Sequence, residues 1–197
     1  VAKGRGKGKG SQFERDLCTR LSQWWTKDER DDVFWRSTIS GGRATARSAK
    51  GKKTYGQYGD IQAVDPIGEP LLKAVTIEAK CGYRGVAFSD LLDAGYRMKP
   101  IWWKWLDQIK VAREQADSAS WLLIVKRDRR DVIVVMPYSL YVELEKVVGP
   151  LPSVRPSMSL LCPKGHGVSR LLAMPLEGFL RAVQPLAFQK IAVDYAG

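Results

Sequence analysis

Gly59-Asp60-Ile61, followed by Val75-Thr76-Ile77-Glu78-Ala79-Lys80, constrains this chain more than any other stretch. Between the two lies Asp65-Pro66-Ile67-Gly68-Glu69-Pro70, whose prolines and glycine mark a turn. Ile61–Val64 reads as a short strand and Leu71–Ile77 as a longer, β-rich and apolar one. Folded back about that turn, the two strands form a hairpin with Asp60 beside Glu78 and Lys80. Side chains two apart on a strand share a face, so Glu78 and Lys80 point the same way while Ala79 points into the core. Two carboxylates and the Ala79 carbonyl are hard oxygen ligands of the kind Mg²⁺ or Mn²⁺ takes, with places left for water and a phosphate oxygen. Lys80 supplies a cation where negative charge would grow. Glu-Ala-Lys alone is a common surface tripeptide and a terminal Asp is ordinary turn chemistry. The combination with Gly-Asp-Ile in a strongly basic chain points to phosphodiester chemistry.

The charge balance agrees. The chain has 197 residues, with 32 Lys and Arg against 21 Asp and Glu, a formal +11. Such an excess argues for a polyanionic partner, most often nucleic acid. The length suits one domain with a full core, with or without an extension. No apolar stretch is long enough for a membrane span and the N-terminus lacks a signal-like apolar core, so membrane and secretion are not expected. Cys18, Cys81 and Cys162 are odd in number and far apart, which fits a reduced cytoplasmic protein.

The cations cluster. Residues 1–10 alternate glycine with lysine and arginine and read as a flexible basic arm. A second tract, Ser40 to Gly59, holds Arg43, Arg47, Lys50, Lys52 and Lys53 without one acid, and its glycines make it a loop long enough to be functional. Because it ends at Asp60, it is placed to grip backbone phosphates beside the carboxylates.

Elsewhere the pattern is α/β. Ser11 to about Thr26 is an amphipathic helix with Phe13, Leu17, Leu21 and Trp24 at core spacing. Ser11 and Glu14 match a capping box, yet Glu14 also borders the apolar face, so both a cap and a site role stay open for it. Val33–Ile39 reads as a strand, Asp90–Met98 as a short helix after Ser89, and Pro100 to about Asp117 as a longer helix. The tryptophans of that helix, Trp102, Trp103 and Trp105, are expected in the core rather than as base-stacking platforms. Trp121–Lys126 and Val132–Met136 are strands about a turn at Asp128–Asp131, and Tyr138–Lys146 is a helix. The order αβββααββ predicts a mixed central sheet flanked by helices over residues 11–148. Residues 149–170 read as a long irregular segment opening a C-terminal extension, 149–197, with a last helix near Leu176–Gln184.

Other chemistries lack their parts. His166 is the only histidine, which removes histidine-based nucleases and hydrolases. Cys162 and His166 supply two zinc ligands where a structural site normally needs four. No Gly-x-x-x-x-Gly-Lys-Ser/Thr phosphate loop occurs, so no ATP-driven activity is implied.

A helix with Phe13-Glu14-Arg15, a strand ending Arg36-Ser37-Thr38, a Gly-rich basic loop into Gly59-Asp60-Ile61 and then Glu78-Ala79-Lys80 together resemble the PD-(D/E)xK nuclease superfamily. Within it the pattern is most similar to archaeal-type and phage Holliday-junction resolvases, over roughly residues 10–136. The resemblance implies a restriction-endonuclease-like core and a metal site built from Glu14, Asp60, Glu78 and the Ala79 carbonyl, with Lys80 assisting attack. It also implies DNA contacts from Arg36, Ser37, Ser40 and Gln108 beside the loop cations, and a homodimer cutting branched DNA in a prokaryotic or phage-infected cell. Residue 59 is glycine, where the proline that names the superfamily would stand. Two alternatives are a duplex-cutting or end-processing nuclease of the same superfamily and a non-catalytic DNA-binding protein of the same fold.

Overall fold

The computed structural model describes residues 5–37, 58–93, 101–150, 157–161 and 170–197. Helix α1 (Arg5–Thr26) leads into the short antiparallel pair β1 (Phe34–Arg36) and β2 (Ile61–Ala63). A 3₁₀ turn (Pro66–Gly68) and helix α2 (Glu69–Ala74) follow, then β3 (Val75–Cys81). A second 3₁₀ turn (Phe88–Asp93), helix α3 (Ile101–Ala116), β4 (Ser120–Lys126), β5 (Ile133–Pro137) and α4 (Tyr138–Val148) continue the chain. It closes with β6 (Met158–Leu161), β7 (Arg170–Pro175), α5 (Leu176–Ala182) and α6 (Pro185–Ala196). The main sheet has five strands in the order β3-β4-β5-β7-β6; β3 and β4 are parallel and the other pairs antiparallel. The expected mixed α/β class, a central sheet flanked by helices, is what the chain adopts.

Both faces of β3, β4, β5 and β7 are largely buried, which is why these strands are mostly apolar, while the edge strand β6 is exposed. On one face Val75, Ile77 and Ala79 of β3, Leu122 and Ile124 of β4 and Leu172 and Met174 of β7 pack with Phe13, Leu17, Leu21 and Trp25 of α1 and with α4 to α6. On the other, Trp121, Leu123 and Val125 of β4 meet Trp102, Trp105, Leu106 and Ile109 of α3. The tryptophans of α3 are thus core residues. The buried Ser22 hydroxyl fastens α1 to β1: it donates to the Cys18 carbonyl (2.8 Å) and accepts from the Phe34 N–H (3.0 Å). Ser22→Ala orphans that N–H and is expected to cost about 1–3 kcal/mol, read as a lower urea midpoint at unchanged slope.

Several local expectations are corrected. Helix α1 starts at Arg5, not Ser11, so residues 5–10 of the basic arm are helical and Ser11 lies inside the helix rather than capping it. Adding turns to a formed helix is easy compared with starting one. Leu71–Ala74 is helix, not strand, so β2 and β3 are not a hairpin. The prolines read as a turn are helix starts: Asp65 Oδ1 accepts the Ile67 N–H at 3.0 Å to cap the 3₁₀ turn, and Pro70 sits in the first turn of α2. Within 149–170, expected to be irregular, β6 and the start of β7 are strands of the main sheet, β7 between β5 and β6. The helix expected near Leu176–Gln184 is α5, ending at Ala182, and a further helix not foreseen, α6, opens at Pro185, a residue that cannot continue a helix but suits its first turn.

The helix expected over Asp90–Met98 is a 3₁₀ turn as far as Asp93, and its remainder lies outside the described residues. No helix among the described residues is long and apolar enough to cross a membrane.

Candidate metal and nuclease site

Strand β3 is an edge of the main sheet, so one row of its backbone groups lacks a strand partner there. Asp60 fills two of those places. Its N–H donates to the Ile77 carbonyl (2.9 Å), and its Oδ2 accepts the Ala79 N–H (2.8 Å). The acid thus reaches Glu78 and Lys80 through backbone stitching rather than a hairpin. Ser37, buried at the end of β1, donates its N–H to the Asp60 carbonyl at 2.8 Å and holds the same residue from the other side.

Gly59 makes this approach possible. Its φ is +76°, and a Cβ there would stand 2.7 Å from the Ile77 carbonyl oxygen. Proline cannot adopt that φ, which accounts for glycine standing where the superfamily name has proline.

Glu78 and Lys80 project from the other face of β3, toward α3. Glu78 Oε2 accepts from Lys80 Nζ at 2.8 Å and from Gln108 Nε2 of α3 at 2.9 Å. Both ions are secluded, with side chains 5 % and 12 % exposed. Burial, then the charge of Asp60 and a hydrogen bond between the two carboxyls, pushes the Glu78 carboxyl up to about 7, against the pull of Lys80. For Lys80, burial works against the ammonium but the charges of Glu78 and Asp60 outweigh it, and its pKa is raised. Glu14 comes from α1, its carboxyl 3.5 Å from Arg36 at the end of β1. Burial and Asp60 raise its pKa against Arg36 and Lys80. Of the two roles open to Glu14, capping is removed by the start of the helix, and the side chain faces the strand ends. The nearby Cys18 thiol is pushed up to about 12, chiefly by burial, and is an inert core group.

Glu14, Arg36, Ser37, Asp60, Glu78, Ala79, Lys80 and Gln108 therefore lie around one edge of the sheet. Ser40, Arg43, Arg47, Lys50, Lys52 and Lys53 fall outside the described residues, as do Cys162 and His166. Among the described residues no three His, Cys, Asp or Glu side chains are close enough to hold an ion by themselves. The donors that would fit a hard divalent cation are the buried, adjoining carboxyls of Asp60 and Glu78, all oxygen, with a backbone carbonyl and water to complete the shell.

Raised carboxyl pKa values have a definite sign. The folded state holds its protons more tightly than the unfolded chain, so the Glu78 contribution to stability falls as pH rises from about 4.5 toward 7. Glu78→Gln removes that penalty. Its melting temperature relative to wild type is expected to rise by several degrees between pH 5 and pH 8, and Mg²⁺ should narrow the gap by stabilising wild type alone. A constant difference across pH would contradict this.

Searches of curated proteins and of solved structures each return no match. A family model described as "Phage putative PDDEXK endonuclease" matches residues 5–187, a span that includes α1, the site and the strands β6 and β7. Nucleases of the PD-(D/E)xK type generally use divalent metals. The match takes in nearly the whole chain, and the chain belongs to the phage PDDEXK endonuclease family.

Proposed function

We propose that this protein is a metal-dependent, structure-selective DNA endonuclease that nicks branched DNA as a Holliday-junction resolvase. The observation that carries the nuclease reading is the buried Asp60–Glu78 carboxyl pair at the edge of β3, with Lys80 and Gln108 on the second acid. Asp60 and Glu78, with the Ala79 carbonyl, would hold Mg²⁺ or Mn²⁺, and Glu14 would join through water. A cation bound there would lower the pKa of water and offset charge on the phosphoryl oxygens.

The chain's own groups supply the rest. Lys80 is kept as an ammonium, so it acts as a hydrogen-bond donor to the attacking water or a phosphate oxygen and not as a base. Gln108 holds Glu78 in one rotamer through its amide. Arg36, beside Glu14, would donate its guanidinium to a phosphate. Ser37 fixes Asp60 through the backbone. The cations from Arg43 to Lys53, with Ser40, would grip flanking phosphates without reading sequence. Paired nicks in a four-way junction need two active sites, hence a homodimer, acting in the cytoplasm of a phage-infected cell.

The resolvase reading rests on the resemblance of the Gly-Asp-Ile to Glu-Ala-Lys region and its basic loop to resolvases. It is tested by end-labelled four-way junction and matched linear duplex with Mg²⁺. Symmetric nicks on the junction alone support it. Equal cutting of duplex or ends leaves a nuclease of another specificity, and binding without cutting of either leaves a DNA-binding protein.

A further inference from the structure

A second basic feature lies beyond the carboxylates, on the loop that leaves β3 and the turn between β4 and β5. A cavity of about 570 Å³ is lined there by Lys9 of α1, Arg84 of the β3 exit loop, and Arg127, Arg129 and Arg130 of the turn, with Asp128 as its acid. Asp128 is committed to Arg84, at 3.3 Å. Arg127 is unusual: its Nε is buried without a hydrogen-bond partner among the described residues. Burial and the neighbouring Arg130 charge lower its pKa. A buried donor without a partner, among like charges, is costly and calls for an acceptor carrying negative charge.

The cavity adjoins the site. Arg84 follows Glu78 by six residues, at most about 20 Å of extended chain. Cys81, between them, lies within electrostatic range of Lys126, Asp128 and Lys9 as well as of Glu14. Lys80 likewise feels the Tyr83 hydroxyl, which belongs to the cavity wall.

We propose that this cavity is a backbone-binding groove that takes phosphates of the same DNA strand a few nucleotides from the scissile one, with Arg127, Arg129 and Arg130 as its principal contacts. It rests on the nuclease reading and extends it. The groove cations are distinct in sequence from those of the loop at 40–59 and add to them. Guanidinium groups suit this task because they donate in pairs to phosphate oxygens. None of the groove cations touches the carboxylates, so the groove sets affinity and placement rather than chemistry.

The test is fluorescence anisotropy of labelled DNA in EDTA, across a salt series, with the full chain. Arg129→Gln/Arg130→Gln is compared with wild type and with Lys146→Gln/Lys190→Gln, exposed cations elsewhere. The groove variant is expected to bind at least ten-fold more weakly at 100 mM salt, with the slope of log K against log salt reduced by about 2, and an unchanged melting temperature. Arg127→Lys, which keeps charge but not the paired donors, should lose an intermediate amount. Unchanged affinity and slope in the groove variant, with wild type binding and cutting DNA, would overturn the groove and leave the nuclease reading standing. Absence of DNA binding by wild type would overturn both. A third arm replaces chloride by inorganic phosphate at equal ionic strength: competition that is lost in the groove variant, without a change in DNA affinity, would make the cavity a small-anion site and overturn the proposal.

Discussion

Glu78→Ala is expected to lower phosphodiester cleavage by about a thousand-fold or more while leaving DNA binding within a few-fold of wild type. Glu78 is where the site's interactions meet: it adjoins Asp60, receives Lys80 and is held by Gln108. Removing it would take away one of the two carboxyls proposed to hold the cation and would untie the Lys80 ammonium paired to it. A bound cation contributes several kcal/mol to such a reaction, and each 1.36 kcal/mol is tenfold in rate, which sets the expected size. Binding is proposed to rest on arginines and lysines outside the pair, so affinity in EDTA should persist. Glu78→Gln separates loss of charge from loss of shape, since it keeps the volume and one acceptor for Lys80. Single-turnover rates with saturating enzyme read the chemistry directly. Residual cleavage within tenfold of wild type in both variants would place the reaction elsewhere.

Gly59→Ala carries the second large effect, and it acts on a residue with no chemistry of its own. The backbone at 59 has φ of +76°, and a methyl group would stand 2.7 Å from the Ile77 oxygen and 3.0 Å from the Thr76 methyl. The left-handed conformation alone costs an alanine about 1 kcal/mol. The contact is with a backbone atom of a buried strand that cannot move aside, so a total near 2–4 kcal/mol is expected. The chain must shift to relieve it, and the residue that moves is Asp60, whose N–H and carboxylate are both tied to β3. Cleavage should therefore fall a hundred-fold or more even at temperatures where the variant is fully folded. A folded Gly59→Ala enzyme with wild-type rate would show that the position of Asp60 is not set by this contact.

These residues also show what could be read from the chain. Period-2 logic put Glu78 and Lys80 on one face with Ala79 opposite, and the structure has Ala79 in one core while the other two point to α3. The meeting of Asp60 with them was legible, but not its means. Asp65-Pro66 and Glu69-Pro70 are equally good signals for a tight turn and for a helix start. The choice was settled by Leu71, Leu72 and Ala74 packing as a helical face, not by local preference. Strand β7 was hidden for a similar reason: Leu171 to Met174 is a short apolar run whose partner, β5, lies more than thirty residues upstream. Such a run reads as strand or buried helix alike until its register is known. Gln108 needed α3 to be docked before its amide met Glu78. The cations at 127–130 read as a charged turn, since nothing local places Lys9 and Arg84 beside them.

The central claim is that Asp60 and Glu78 hold one divalent cation, and calorimetric titration of Mn²⁺ into the protein without DNA tests it most directly. Wild type is predicted to bind one ion per chain at this site, and Asp60→Asn/Glu78→Gln, still folded by circular dichroism, to bind none there. Equal Mn²⁺ binding by the double variant, or none by wild type, would contradict the account.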